Sequence, residues 1–382
     1  MPRMVIIFTL LVALAVLAAC SISAPAQAGS VIVTDEGLIY EASPGETNNL
    51  TITQSEGSFT VVDNWPLTAL GLCSSMDLFT AVCAATSNVA VTALLGDLDD
   101  TAVIVATDGK VVAGGAGADT ISVSFETYGS MLMGGNGDDT LGVKDGGGIL
   151  AGGNGDDTLT AGMGPRTTMV GGLGSDTFVT TDGGNVGISY RARTGGVTVT
   201  PDGIADDGAA GEGDNVLPPE ADSFINVSGG HGNDRLSAGP TGYSYWVYGR
   251  GGNDVIDGSL VLGIRAYGGG GDDRLLGGTA DDELFGGEGR DTLLGGLRAD
   301  SLEGGRGNDV LRGEAGRDSL DGGGGDDLLV GGGNHDWSHG GRGNDTFRMR
   351  DGLGDRAFGG LGRDRARIDP GLDRLFGVES IF

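Results

Sequence analysis

Large apolar residues recur every nine positions across Gly268–Arg348, at Leu275, Leu284, Leu293, Leu302, Leu311, Leu320, Leu329 and Phe347. Read in nines, the stretch is nine consecutive copies of G-G-x-G-x-D-x-U-x, with U large and apolar, from GGGGDDRLL to GGRGNDTFR. In the copy Gly304–Arg312 the first six residues, GGRGND, are turn chemistry. Glycine adopts backbone angles closed to other residues and admits close backbone approach. The last three residues, VLR, alternate out, in, out, so Leu311 points one way and its neighbours the other. Two nines make one coil of eighteen residues, turn–strand–turn–strand. Stacked coils give two parallel sheets. The predicted fold class is all-β: a parallel β-roll, or β-solenoid, with a small β-rich N-terminal cap.

The same pattern recurs upstream at wider spacing. GGAGADTIS begins at Gly114, GGNGDDTLG at Gly134, GGNGDDTLT at Gly152 and GGLGSDTFV at Gly171, at intervals of 20, 18 and 19 residues. Each interval is close to one whole coil. One edge of this first roll block (107–184) therefore keeps its motif and the other has lost it. Asp97–Val103 reads as a decayed copy with Asp100 in slot six. Residues 185–228 interrupt the phase as an acidic spacer. GGHGNDRLS at Gly229 and GRGGNDVID at Gly249 restore it, and the second block runs over 229–367. The apolar stretch 368–382, with Leu372, Leu375, Phe376, Val378, Ile381 and Phe382, is predicted to cover the last coil. At the other end, 29–106 holds the short runs VIVT, GLIYEA, NLTIT and SFTVVD between turns, a β-rich cap for the first coil.

Slot six is aspartate throughout. In the first block it is Asp119, Asp139, Asp157 and Asp176. In the second it is Asp234, Asp254, Asp273, Asp282, Asp291, Asp300, Asp309, Asp318, Asp327, Asp336, Asp345, Asp355 and Asp364. Copies eighteen apart share an edge, so Asp291 should stack on Asp309 and Asp309 on Asp327. Carboxylates stacked at about the 4.8 Å strand spacing repel one another. With one large apolar side chain per nine, burial is too thin to offset that and the entropy of a glycine-rich chain. A hard divalent cation held by carboxylates and glycine carbonyls removes the deficit, and its binding energy becomes folding energy. A flexible Gly-rich linker is the bland alternative, but linkers do not keep leucine in phase. A phosphate-cradling loop lacks its GxxxxGK[ST] signature, and the only lysines are Lys110 and Lys144.

The nonapeptide resembles the calcium-binding repeat of the hemolysin-type (RTX) family. The resemblance covers most of the chain and implies calcium as the ligand of the slot-six aspartates. It also implies sites between Asp119 and Asp139, Asp139 and Asp157, and Asp157 and Asp176. Within the nine-copy run four copies depart from the pattern. Slot four is Ala280, Arg298 and Asn334 in three of them, the last also with Ser338 at slot eight, and slot two is Glu314 in another. Sites using those turns should be weaker. Asp202, Asp206, Asp207, Glu212 and Asp214 in the spacer are oxygen-rich and are candidates for a further ion.

Composition narrows the function. The chain has 382 residues, 78 of them glycine, and a formal charge of −30, which opposes nucleic acid and anionic membrane surfaces. Met1–Ala28 reads as an export segment, with Arg3 before the apolar run Val5–Ala19. That run is too short for a comfortable span. Two cleavage signals compete: Ala26-Gln27-Ala28 for secretion, and Leu17-Ala18-Ala19-Cys20, which resembles a bacterial lipobox and would put a lipid on Cys20. Many RTX proteins export by a C-terminal signal, so their route is not carried over. In an exported chain Cys73 and Cys83 are expected to form a disulfide. No HExxH or GxSxG occurs, and the only histidines, His231, His335 and His339, lie in repeats. The expectation is an exported, extracellular, non-enzymatic protein that binds many calcium ions and folds on binding them. The alternatives are a calcium-stiffened surface adhesin and, last, a hydrolase within 29–106.

Overall fold

The computed structural model describes residues 28–382, apart from 35–36, 56, 85–89, 108, 125–127, 182, 219–223, 240–243 and 262. The export segment, including Cys20, lies outside the described residues apart from Ala28. Every regular element described is a β-strand.

The nine-residue phase becomes strand register. Glu283–Glu288, Ser301–Arg306 and Ser319–Gly324 stack in parallel, with Leu284, Leu302 and Leu320 directly opposed. On the facing sheet Thr292–Leu297, Val310–Ala315 and Leu328–Gly333 do the same with Leu293, Leu311 and Leu329. Chain neighbours thus alternate between sheets, and residues eighteen apart become hydrogen-bonded neighbours. All six leucines are at most 1% exposed. The core is two files of single side chains.

One long sheet runs the length of the molecule, from Gly37–Glu41 in the cap to Arg374–Phe376. The sheet facing it comes in two parts. The first begins at Asn49–Ser55 and closes at Asn215–Val216. The second opens at Val197–Val199 and ends at Ser380–Ile381. Segment 185–228 is therefore not a spacer between two rolls. Gly184–Ser189 and Phe224–Ser228 are adjacent strands of the long sheet, so the described residues between them, 190–218, belong to one enlarged coil.

The cap is a meander with antiparallel pairs, such as Gly29–Val33 with Gly37–Glu41 and Ser58–Val62 with Thr80–Ala84. Leu38, Tyr40, Leu50, Ile52, Phe59 and Val61 give it a conventional core, each 0% exposed. Cys73 and Cys83 face each other across antiparallel strands and are joined by a disulfide. At the far end, 368–382 adds a further coil. Leu375 and Val378 pack against the core, but Leu372, Phe376, Ile381 and Phe382 stay exposed, so this segment continues the stack more than it covers it.

Candidate metal centre

The slot-six aspartates line up in columns along the two edges of the long sheet. Within a column each carboxylate Oδ1 accepts the backbone N–H of the aspartate one coil earlier. On the edge where the chain leaves the long sheet, Asp100 is followed by Asp119, Asp139, Asp157, Asp176 and Asp214. The same edge then carries Asp234, Asp254, Asp273, Asp291, Asp309, Asp327, Asp345 and Asp364. The opposite edge carries Asp282, Asp300, Asp318, Asp336 and Asp355. Asn48 of the cap donates its backbone N–H and its side-chain amide to Asp100 and starts the first column. Asp373 and Glu379 end the other two.

The second oxygen is what makes these columns a binding site. In sixteen of these aspartates Oδ2 is buried with no hydrogen-bond partner. A buried carboxylate oxygen left unpaired is strongly unfavourable, so the columns demand a proton or a cation. Burial raises the carboxyls: Asp273 is pushed up to about 7 by desolvation and by the charge of Asp291, against the opposing N–H of Asp254. Asp157, Asp300 and Asp327 are likewise pushed up to about 7, and Asp291 and Asp318 to about 6, with burial the largest cause each time. Asp214, Asp234 and Asp282 are the exceptions. Asp214 Oδ2 accepts the Tyr190 hydroxyl. Asp234 and Asp282 are each the first rung of their column, and their Oδ2 turns back to the N–H of Gly230 or Gly278 in their own turn.

Slot-one glycine completes the cradle. A Cβ on Gly304 would stand 2.5 Å from Asp309 Oδ2 and 2.7 Å from the Gly322 carbonyl of the next coil. Any side chain there fills the space into which carboxylate and carbonyl oxygens converge. At slot two, Gly305 sits at φ +110° and a Cβ would strike the Gly287 carbonyl. Among the described residues no three His, Cys, Asp or Glu side chains gather around one point. A cation here must draw on backbone carbonyls as well as aspartates, which suits calcium, a hard ion taking six to eight oxygens. The slot-six aspartates with the carbonyls of the glycine turns are the residues that would hold it.

The two edges are unequal. Arg298, Glu314 and Asn334 serve three of the five turns of the Asp282–Asp355 column and are held at φ +80°, +75° and +90°, whereas the longer opposite edge has only Leu98 and Arg250 in that region among its described turns, at φ +73° and +88°. L-residues rarely tolerate that region, and Asn tolerates it best. Ala280, in the same column, does not adopt it. Replacing Glu314 with Gly is expected to stabilise the calcium-loaded fold by about 0.5–1 kcal/mol, the strain relieved less the extra chain entropy. Thermal melts in saturating calcium check this, with Gly305→Ala as the opposite case.

Two features were not legible as repeat slots. Asp or Asn at slot five clamps the next coil: Asp272 Oδ1 accepts the N–H of Arg290, and Asp326 Oδ1 that of Asn344. The recurring Asp or Asn at that slot was the available signal. The acidic coil, in turn, offers no free oxygen cluster. Asp207 accepts the N–H groups of Thr200 and Val216, and Asp214 those of Asp176 and the Tyr190 hydroxyl. Glu212 pairs with Arg193 and accepts the Ala209 N–H. The oxygens of Asp207, Asp214 and Glu212 already have donors, which leaves Asp206 and one oxygen of Asp202 as the acid oxygens of this coil open to the further ion expected among these residues.

A family model described as the RTX calcium-binding nonapeptide repeat (4 copies) matches residues 143–164, 246–260, 267–302, 294–329 and 315–347. The chain carries RTX calcium-binding repeats. The matched RTX segments contain Asp157, Asp254 and every slot-six aspartate from Asp273 to Asp345. The remaining copies, around Asp119, Asp139, Asp176, Asp234, Asp355 and Asp364, extend the same columns outside the matched segments. No curated protein matches the chain.

Proposed function

We propose that this is an exported, non-enzymatic protein whose RTX repeats load many calcium ions and fold as they do so. The observation that carries this reading is the columns of buried, unpartnered carboxylate oxygens, all but those of Asp100 and Asp355 set against a slot-one glycine. Calcium supplies positive charge there and the fold supplies the ordered oxygens. Export is supported by the signal-like start, the Cys73–Cys83 disulfide and the usual secretion of RTX proteins. Calcium inside cells is scarce, so the chain stays soft until it leaves. A non-enzymatic role is supported by a sequence without HExxH or GxSxG and with histidine confined to the repeats. No helix among the described residues is long and apolar enough to cross a membrane. Lipidation at Cys20 and an adhesin role stay as the second reading. The exposed Leu72, Met76, Leu78 and Phe79 around the disulfide hairpin favour it as a contact surface.

Native mass spectrometry of the mature chain tests the first reading. The expected result is a ladder of bound calcium ions, on the order of ten, with affinities of about 10⁻⁴–10⁻³ M. The Asp309→Asn variant should lose one or two ions and keep the rest. Binding of one or no calcium would remove the aspartate columns from the function.

A further inference from the structure

We propose that a groove near the C-terminal end, formed by Arg317, His335, Trp337, Arg356 and Arg374, binds an acidic sugar, a ring compound carrying a carboxylate. The groove encloses about 590 Å³, within the range of small-ligand sites of about 300–1,000 Å³. It uses outward side chains that play no part in the calcium columns.

Strand register builds it. Trp337, Arg356 and Arg374 occupy the same outward position on three successive strands of the long sheet. Arg317 and His335 occupy slot five of successive turns at the adjoining edge. Adjacent parallel strands lie about 4.8 Å apart, so Arg356 and Arg374 stand side by side on one face. Like charges directly opposite on a sheet are destabilising. Elsewhere on the same sheet Arg265 is paired with Glu283 and Arg306 with Glu288, whereas Arg348 and Arg367 on the facing sheet are opposed as Arg356 and Arg374 are. Among the described residues, Arg317, Arg356 and Arg374 have no carboxylate within ion-pair distance, in a chain with 53 acidic residues and 23 basic ones. The acids in the wall, Asp336 and Asp355, are buried and direct Oδ1 to the N–H groups of Asp318 and Asp336 inside the column. The groove is left cationic on its open side.

The surrounding groups select the ligand. Paired guanidiniums present planar forks that match a carboxylate with two parallel hydrogen bonds. Trp337 is 38% exposed, and its ring is held between His339 at 5.9 Å and Phe358 at 5.7 Å. It offers a fixed apolar surface beside the charges. His335 is tied to the wall through Nδ1, 2.8 Å from the Gly354 carbonyl. A flat apolar surface next to a carboxylate fork suits a sugar ring bearing an acid group more than a bare inorganic anion.

Isothermal calorimetry on the calcium-loaded chain tests this, with digalacturonate as probe and equal calcium in cell and syringe. Digalacturonate should bind at one site, and the neutral disaccharide galactobiose should not. Arg356→Ser with Arg374→Ser should weaken binding by about tenfold or more, since each charge-assisted hydrogen bond contributes strongly. Lysine at both positions should recover part of it, because charge returns without the fork. Trp337→Leu should also weaken binding, and Arg312→Ser, on the opposite sheet, should leave it unchanged. Circular dichroism in calcium confirms the same fold in each variant. No binding of digalacturonate, undiminished binding by the double Ser variant, or tighter binding of glucose 6-phosphate would each overturn the assignment.

Discussion

Chelating calcium at neutral pH is expected to unfold the roll and spare the cap. Across Gly268–Arg348 the core is two files of single side chains, and along the whole roll sixteen buried carboxylate oxygens, counting Asp100 at its boundary, have no partner. At ten times its dissociation constant each ion stabilises the fold by about 1.4 kcal/mol. About ten ions then supply roughly 14 kcal/mol, as much as the entire stability of a typical domain. Withdrawing them leaves nothing of comparable size. The cap differs in kind. Tyr40, Phe59 and their neighbours form a wider core, the strands pair locally, and a disulfide ties Cys73 to Cys83. Hydrogen exchange with and without chelator gives the test. Protection should vanish across 268–348 and persist across 29–84. Full native protection of the roll in chelator would falsify calcium-linked folding.

The roll could be read from the sequence because its period is local. Leucine at every ninth residue and aspartate four residues after a glycine pair need no knowledge of distant contacts, and they reappear as strand register and as columns. What escaped reading depends on contacts across irregular gaps. Asp214 continues the first column, yet it follows Asp176 by 38 residues, because an enlarged coil lies between them. Asp234 and Asp282 look like any other slot-six aspartate. They differ in what precedes them, since Oδ1 accepts the N–H of Val197 or Ile264 where later rungs accept an aspartate's, and Oδ2 bonds its own turn. The unequal edges were half legible. Glu314, Arg298 and Asn334 break the glycine pattern in sequence, but their gathering on one edge follows from two nines making a coil. The Arg356–Arg374 pair is visible only once the register sets it side by side.

Acid is expected to replace calcium in holding the roll together. Folded Asp119, Asp157, Asp254, Asp273 and Asp327 are pushed up from 3.8 to about 7, and Asp336 and Asp345 to about 6, by burial first and by neighbouring rungs in addition. A carboxyl whose pKa is higher in the folded state binds its proton more tightly there. Its contribution to stability is complete below the unfolded pKa of about 4 and is lost as pH rises through 6 to 7. In chelator the roll should therefore be folded near about pH 5 and unfolded near about pH 8. In saturating calcium the order reverses, because the ion needs ionised ligands and acid displaces it. Falling net charge on a −30 chain acts in the same direction as protonation, so a variant must separate the two. Asp309→Asn imitates a single protonated rung. Its Oδ1 still accepts the Asp291 N–H, and its amide stands beside the Gly322 carbonyl where the bare Oδ2 had no donor. In chelator the variant's roll should stay folded to a higher pH than the parent's, and in calcium at neutral pH it should be less stable by about 1 kcal/mol or more. A pH titration in chelator and a urea melt in calcium read the two signs. A variant weakened equally in both would mean that the columns are held by packing alone, with no role for the charge they bury.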